Sequence, residues 1–239
     1  MIAAEPAGKN AARLLSLAPE KAGSSPAKQW RHCMLKLYFT PATCSLASHI
    51  ALEESGARYE AESIDFAKQE QRSPEFLRVN PKGRVPTLVT ERGVLTETPA
   101  ILAYIGQSFP GSPVGVPADP FEFARIQSFN SYLCSTVHVA HAHKRRGSRW
   151  ADVPAAIEAM TLKVASNMGD CFDLIETGMF AGPWVMGETY SIADPYLFTL
   201  AGWLEGDGVD PARFPKVFDH RRRMADRPAV KKVLSAINA

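Results

Sequence analysis

The chain has no Cys-x-x-Cys pair, no uninterrupted apolar run of membrane-spanning length and almost no charge excess of either sign. Each absence excludes something. Its four cysteines, Cys33, Cys44, Cys134 and Cys171, are too scattered for a zinc ribbon or a two-thiol redox motif. A disulfide framework is not needed either, because 239 residues can build a sizeable core of their own. Free thiols are therefore expected. A formal net charge of +2 is too small to coat nucleic acid or to hold the chain on an anionic membrane. Without a long apolar segment, a cytoplasmic location is the simplest expectation. What is present, 46% hydrophobic and 22% charged residues, suits a folded protein of one large domain or two modest ones.

Residues 1–33 differ from the rest, being rich in Ala, Ser, Lys and Arg, with Pro6, Pro19 and Pro26 and no sustained hydrophobic period. They read as a disordered extension. Leu14, Leu15 and Leu17 are too few for the apolar centre of a secretory signal, and a translation start at Met34 is favoured over an organellar presequence.

From Met34 the pattern becomes regular. Leu35 to Phe39 reads as a buried strand ended by Thr40-Pro41, and a helix follows with Leu46, Ala47, Ile50 and Ala51 on its apolar stripe and Gly56 as its stop. Tyr59 to Asp65 alternates as a second strand, and Pro74 to Arg78 suggests a short helix. Val85 to Val89 reads as a third strand, which Glu91-Arg92-Gly93 turns back into Val94-Leu95. Thr98 is the expected N-cap of the next helix, with Pro99 at its first position. Phe109 to Pro117 has linker composition, and everything beyond it carries helical spacing, as in Ile126, Phe129, Leu133, Val137 and Ala140. The predicted order is β-α-β-α-β-β-α followed by helices, with domain limits at 34–108 and 119–239 and a linker at 109–118.

Four segments carry a resemblance. Leu37 to Ser45, Asn80 to Leu88, Leu95 to Ile101 and Ser191-Ile192-Ala193-Asp194, in that order and spacing, resemble glutathione transferases, and the Cys44-Ser45 pair is most similar to the bacterial beta class. The resemblance implies an α/β thioredoxin-like N-terminal domain that binds glutathione as co-substrate, an all-α helical domain that receives a small hydrophobic electrophile or peroxide, and a homodimer. It places Pro86 in a cis peptide so that the Val85 backbone pairs with glutathione. It also places Glu97 and Thr98 on the γ-glutamyl end, and Tyr38, Lys68 and Arg84 at the glutathione site. As catalytic groups it implies Cys44, Ser45 and His138.

The residues themselves leave more open. Cys44 sits where a helix begins, a position that favours a thiolate, yet a single cysteine is often an inert buried thiol. Residue 41 is proline and residue 47 alanine, so Cys44 has no Cys-x-x-Cys partner in either direction. A catalytic disulfide would have to form with glutathione or another molecule. His138, His141 and His143 lack a matching carboxylate or cysteine cluster, so no metal is expected. Lys144, Arg145, Arg146 and Arg149 read as a solvated helix end, with a basic wall beside the acceptor site, flanked by Trp150, as the alternative. Ser191 and Asp194 form a capping box with no chemistry assigned. Two functions compete. One is glutathione conjugation or glutathione-dependent reduction through a Cys44 mixed disulfide; the other is a low-turnover binding protein for glutathione or hydrophobic ligands.

Overall fold

The computed structural model describes residues 35–238, so the reading of residues 1–33 lies outside the described part. Strand β1 (Leu35–Phe39) alternates buried Leu35, Leu37 and Phe39 with half-buried Lys36 and Tyr38, the period of two that a half-covered sheet requires. Helix α1 (Ser45–Ser55) stops at Gly56, whose φ of 68° is the left-handed cap that a side chain disfavours. Strand β2 (Tyr59–Ser63) is shorter than expected. Ile64 still donates to Phe39 O at 2.8 Å, but the Asp65 carboxylate folds onto the Ala67 and Lys68 N–H groups and starts a turn. Helix α2 (Pro74–Val79) follows, capped by the Ser73 hydroxyl.

Strand β3 (Thr87–Thr90) begins two residues later than the apolar run, after Pro86, which has no N–H to give a ladder. The Val85–Pro86 peptide is cis. A tight turn leads into β4 (Gly93–Thr96), and the sheet order is β2-β1-β3-β4, with β1 parallel to β2 and antiparallel to β3. Leu37 and Leu88 face each other with no exposure, and α1 and α3 (Thr98–Ser108) pack together beside this side of the sheet. Tyr38, pointing the other way, meets Phe76 of α2 edge-on at 5.4 Å. This is the thioredoxin-like arrangement.

The second half is helical: α4 (Pro120–Tyr132), α5 (His138–Arg146), α6 (Pro154–Leu174), α7 (Ala193–Ala201), α8 (Pro215–Asp226) and α9 (Pro228–Asn238). The periodic residues Ile126, Phe129, Leu133, Val137 and Ala140 are all buried. A wide π turn, Leu133–Val137, joins α4 to α5 without breaking the rod. The two halves share one core. Helix α1 packs on α3, α7 and α9, and the Arg227 guanidinium clasps the Glu54 carboxylate at 2.5 and 2.8 Å. Each fully buried leucine or isoleucine in that core contributes about 1.5–3 kcal/mol.

The Ser191–Asp194 box is present and does more than cap. Asp194 is fully buried and accepts from the Ser191 N–H and hydroxyl, from the Val185 N–H at 2.8 Å, and meets His220 Nε2 at 3.0 Å. One carboxylate thereby joins α7, α8 and the loop before them.

Candidate active site

A cleft of about 600 Å³ lies between the sheet and the helical half. Its sheet side is built at the ends of β1, β3 and β4, where the backbone must turn and leaves polar groups unpaired. Cys44 stands at the head of α1, its Sγ donating weakly to Val85 O at 3.6 Å. The Val85 N–H has no partner among the described residues. Gly83, with φ of +61°, allows the Gln71–Arg72 turn to approach so closely that a Cβ would lie 2.8 Å from Gln71 O. That contact brings Gln71 and Arg72 to the cleft.

Thr98 is not the cap of α3 but its first residue; Glu97 takes the cap position with φ of 72°. The shift leaves the Thr98 hydroxyl beside the Cys44 thiol, which it stabilises as a thiolate, though weakly. Glu97 is held by Lys82 at 2.6 Å, and the same ammonium reaches Thr96 Oγ1 at 2.8 Å. Sequence reasoning missed Lys82, whose position in the Asn80–Gly83 turn signals only a turn.

The helical half supplies the facing wall. The π turn brings Cys134 and then His138 to the cleft, and α5 adds Val139, His141, Ala142 and Arg146. Trp203 donates from Nε1 to Ala42 O at 3.3 Å, so the helical half touches the loop that carries Cys44. The Trp203 ring stacks on His141 at 4.1 Å and meets His138 edge-on at 5.1 Å. His141 is committed to buried Asp207 at 2.7 Å, which Lys144 also approaches at 3.7 Å. His138 alone of the three histidines stays on the wall without a carboxylate partner.

Electrostatics decide which protonation states these groups carry. Burial pushes the Cys44 thiol up to about 11, overriding the modest lowering by the Thr98 hydroxyl and Arg146. The expectation of a thiolate at the helix start is therefore corrected: desolvation of a fully buried sulfur outweighs the helix terminus. His138 moves the other way, to about 4, through burial and then through the positive charges of Arg146, Arg84 and Arg149. Both groups are neutral at pH 7.

Three expected site residues lie elsewhere. Ser45 is fully buried behind the cleft, its hydroxyl donating to Thr40 O at 3.0 Å and bonded to the Thr43 hydroxyl at 2.7 Å, a local tie that fixes the loop. Tyr38 packs on Phe76 under the Lys36 ammonium, on the covered side of α2. Lys68 projects into solvent and pairs with Asp65 at 3.3 Å. The basic segment also departs from its reading as a solvated end: Arg146, Arg149 and Trp150 line the cleft, while Lys144 turns to Asp207.

A four-stranded thioredoxin-like sheet joined to a helical domain, with a cleft at their junction, defines the glutathione transferase architecture. The N-terminal domain pattern of glutathione S-transferases matches residues 34–107. A glutathione transferase homolog from Sulfitobacter, solved with bound glutathione, is 47% identical with a TM-score of 0.82, covering 85% of this chain and 98% of that one. A beta-class glutathione S-transferase of Sphingomonas chungbukensis is 33% identical with a TM-score of 0.73, over 84% and 98% of the two chains. The glutathione S-transferase GstA of Escherichia coli O157:H7 is 29% identical over 204 residues, 84% of this chain and 98% of that protein. The chain belongs to the glutathione S-transferase family, with the bacterial beta class among its structural neighbours. Among the described residues no helix is long and apolar enough to cross a membrane.

Proposed function

We propose that the protein transfers glutathione to a small electrophile, acting as a homodimer as the family resemblance implies. The observation that carries this reading is the open Val85 backbone beside the Cys44 thiol and the start of α3, an edge on which an extended thiol peptide can lie as an added strand. The first N–H groups of α3 and the Thr98 hydroxyl suit a carboxylate, and Glu97 suits an ammonium at the same end. Arg84 lies on this wall as well.

The protonation states favour conjugation over the mixed-disulfide route. With burial pushing the thiol up to about 11, Cys44 is overwhelmingly protonated at pH 7, and its thiolate is a minor form. Attack by Cys44 on a disulfide or peroxide would start from that form. A neutral Cys44 S–H, in contrast, is a hydrogen-bond donor for the sulfur of glutathione, and neutral His138 can donate a ring N–H to the thiolate once its proton has passed to solvent. Conjugation needs nothing more from Cys44.

Calorimetric titration with glutathione, together with turnover of a neutral aryl halide and of an organic hydroperoxide, tests this reading. Expected are glutathione binding, conjugation that exceeds peroxide reduction, and a weakening of affinity by about 1 kcal/mol in Thr98→Ala, the scale of one hydrogen bond. Binding without turnover of either substrate would favour the carrier function instead.

A further inference from the structure

Among the described residues the cleft is lined by four arginines, Arg72, Arg84, Arg146 and Arg149, none of them paired with a carboxylate, and by a single acid, Glu97, which Lys82 already neutralises. The cleft wall is therefore positive, with Arg146 half-buried and Arg72, Arg84 and Arg149 exposed to solvent. Arg149 responds to that charge: its guanidinium is held below the usual value by burial and then by Arg146, Arg84 and Arg72. A half-buried guanidinium such as that of Arg146 is commonly accompanied by an anionic partner, and none is supplied by the described residues.

Glutathione alone does not balance this charge. It carries one net negative charge as a thiol and two as a thiolate, against four guanidinium groups. The arginines also divide by wall. Arg72 and Arg84 stand on the sheet side beside Gly83 and Val85, where the proposed function lays glutathione, whereas Arg146 ends α5 and Arg149 follows it in the next turn, on the helical wall that also carries Val139, Ala142 and Trp150. The second pair thus faces the space left for the other reactant, next to apolar and aromatic surface.

We propose that the electrophile this protein accepts is an organic anion, a small aromatic or apolar body bearing a carboxylate or sulfonate that Arg146 and Arg149 hold while the body lies against Trp150. The inference rests on the glutathione-conjugating reading for the placement of the first reactant. A guanidinium meets either anion with paired hydrogen bonds, and the half-buried position of Arg146 limits screening by salt. The reaction itself is unchanged: the glutathione sulfur forms the new bond and the leaving group departs with its electron pair.

The test uses matched compounds that differ only in charge. Dinitrobenzoate and dinitrobenzamide are titrated calorimetrically into the glutathione-loaded protein, and chlorodinitrobenzoate and chlorodinitrobenzamide are compared as substrates, each rate divided by that of the uncatalysed reaction with glutathione. The wild-type protein should prefer the anion by about tenfold or more in both readouts. Arg146→Gln with Arg149→Gln should collapse that preference toward unity. Equal binding of benzoate and benzamide, or a preference that survives in the double variant, overturns the proposal. So does a double variant whose main defect is weaker glutathione binding, since that assigns the arginines to the peptide. Failure of the conjugating reading is recognisable separately, as absence of glutathione binding or of turnover with both halides, and the same benzoate and benzamide titration into the glutathione-free protein then decides the charge preference.

Discussion

Cys44 and Cys134 lie on the same cleft but differ in exposure: Cys44 is buried, Cys134 half-exposed, and burial raises both thiols. Cys44 was placed at the site by the family resemblance, since its place after β1 alone left an inert thiol open, and its protonation state was not legible, because desolvation depends on what packs over the sulfur. Alkylation of Cys44 should accelerate about tenfold for each pH unit from neutrality up to about 11, and Cys134 should be modified first at mildly alkaline pH. Peptide mapping after timed iodoacetamide treatment reads both. A Cys44 rate that is already flat below pH 8 would mean a thiolate and restore the redox route. Ser45 illustrates the opposite limit: its position beside Cys44 suggested chemistry, whereas its hydroxyl is consumed by Thr40 and Thr43.

At the scale of elements, the sequence revealed most where local chemistry dictates the outcome. Gly56 had to end α1, the Glu91-Arg92-Gly93 turn had to fold β3 back, and the helical spacing through Ala140 survived even the wider turn at Leu133–Val137. That turn itself carried no signal, although it is what delivers Cys134 and His138 to one wall; π turns inside helices are set by packing and often mark functional positions. Nor could spacing show that Arg146 and Arg149 point inward, since the direction depends on how α5 meets the sheet half. Asp194 gives the sharpest energetic expectation. Replacing it by alanine strips an acceptor from the buried Val185 and Ser191 donors and leaves His220 without a carboxylate, so Asp194→Ala should cost about 3 kcal/mol or more in urea unfolding. Glutathione affinity per folded molecule should change far less, because no atom of Asp194 lines the cleft.

For the whole molecule, buried His49 and half-buried His138 make folding sensitive to acid. His49 lies between Phe39 and Tyr59 with Nδ1 unpartnered, and burial lowers it to about 4, partly opposed by Glu53; His138 is lowered to about 4 as well. The ordinary value is 6.5. As pH falls the unfolded chain binds these protons first, so the stabilisation is complete above about 6.5 and is lost progressively toward about 4. Unfolding midpoints measured between pH 7 and pH 4.5 should drop by the equivalent of at least about 2 kcal/mol. His49→Phe, which keeps an aromatic ring in the stack, should remove part of the slope; an identical slope in that variant would place the proton uptake elsewhere.

The bond from Trp203 to Ala42, with its ring stacked on His141, has a further consequence. Trp203 and Trp150 occupy the walls of the cleft, while Trp184 lies outside it beside Tyr190 and the arginines of α8 and its end. Among the described residues, two indole rings therefore sense what enters the cleft, and a third lies outside it. The protein carries its own optical gauge of occupancy, in which emission from the cleft indoles changes as water and imidazole give way to ligand.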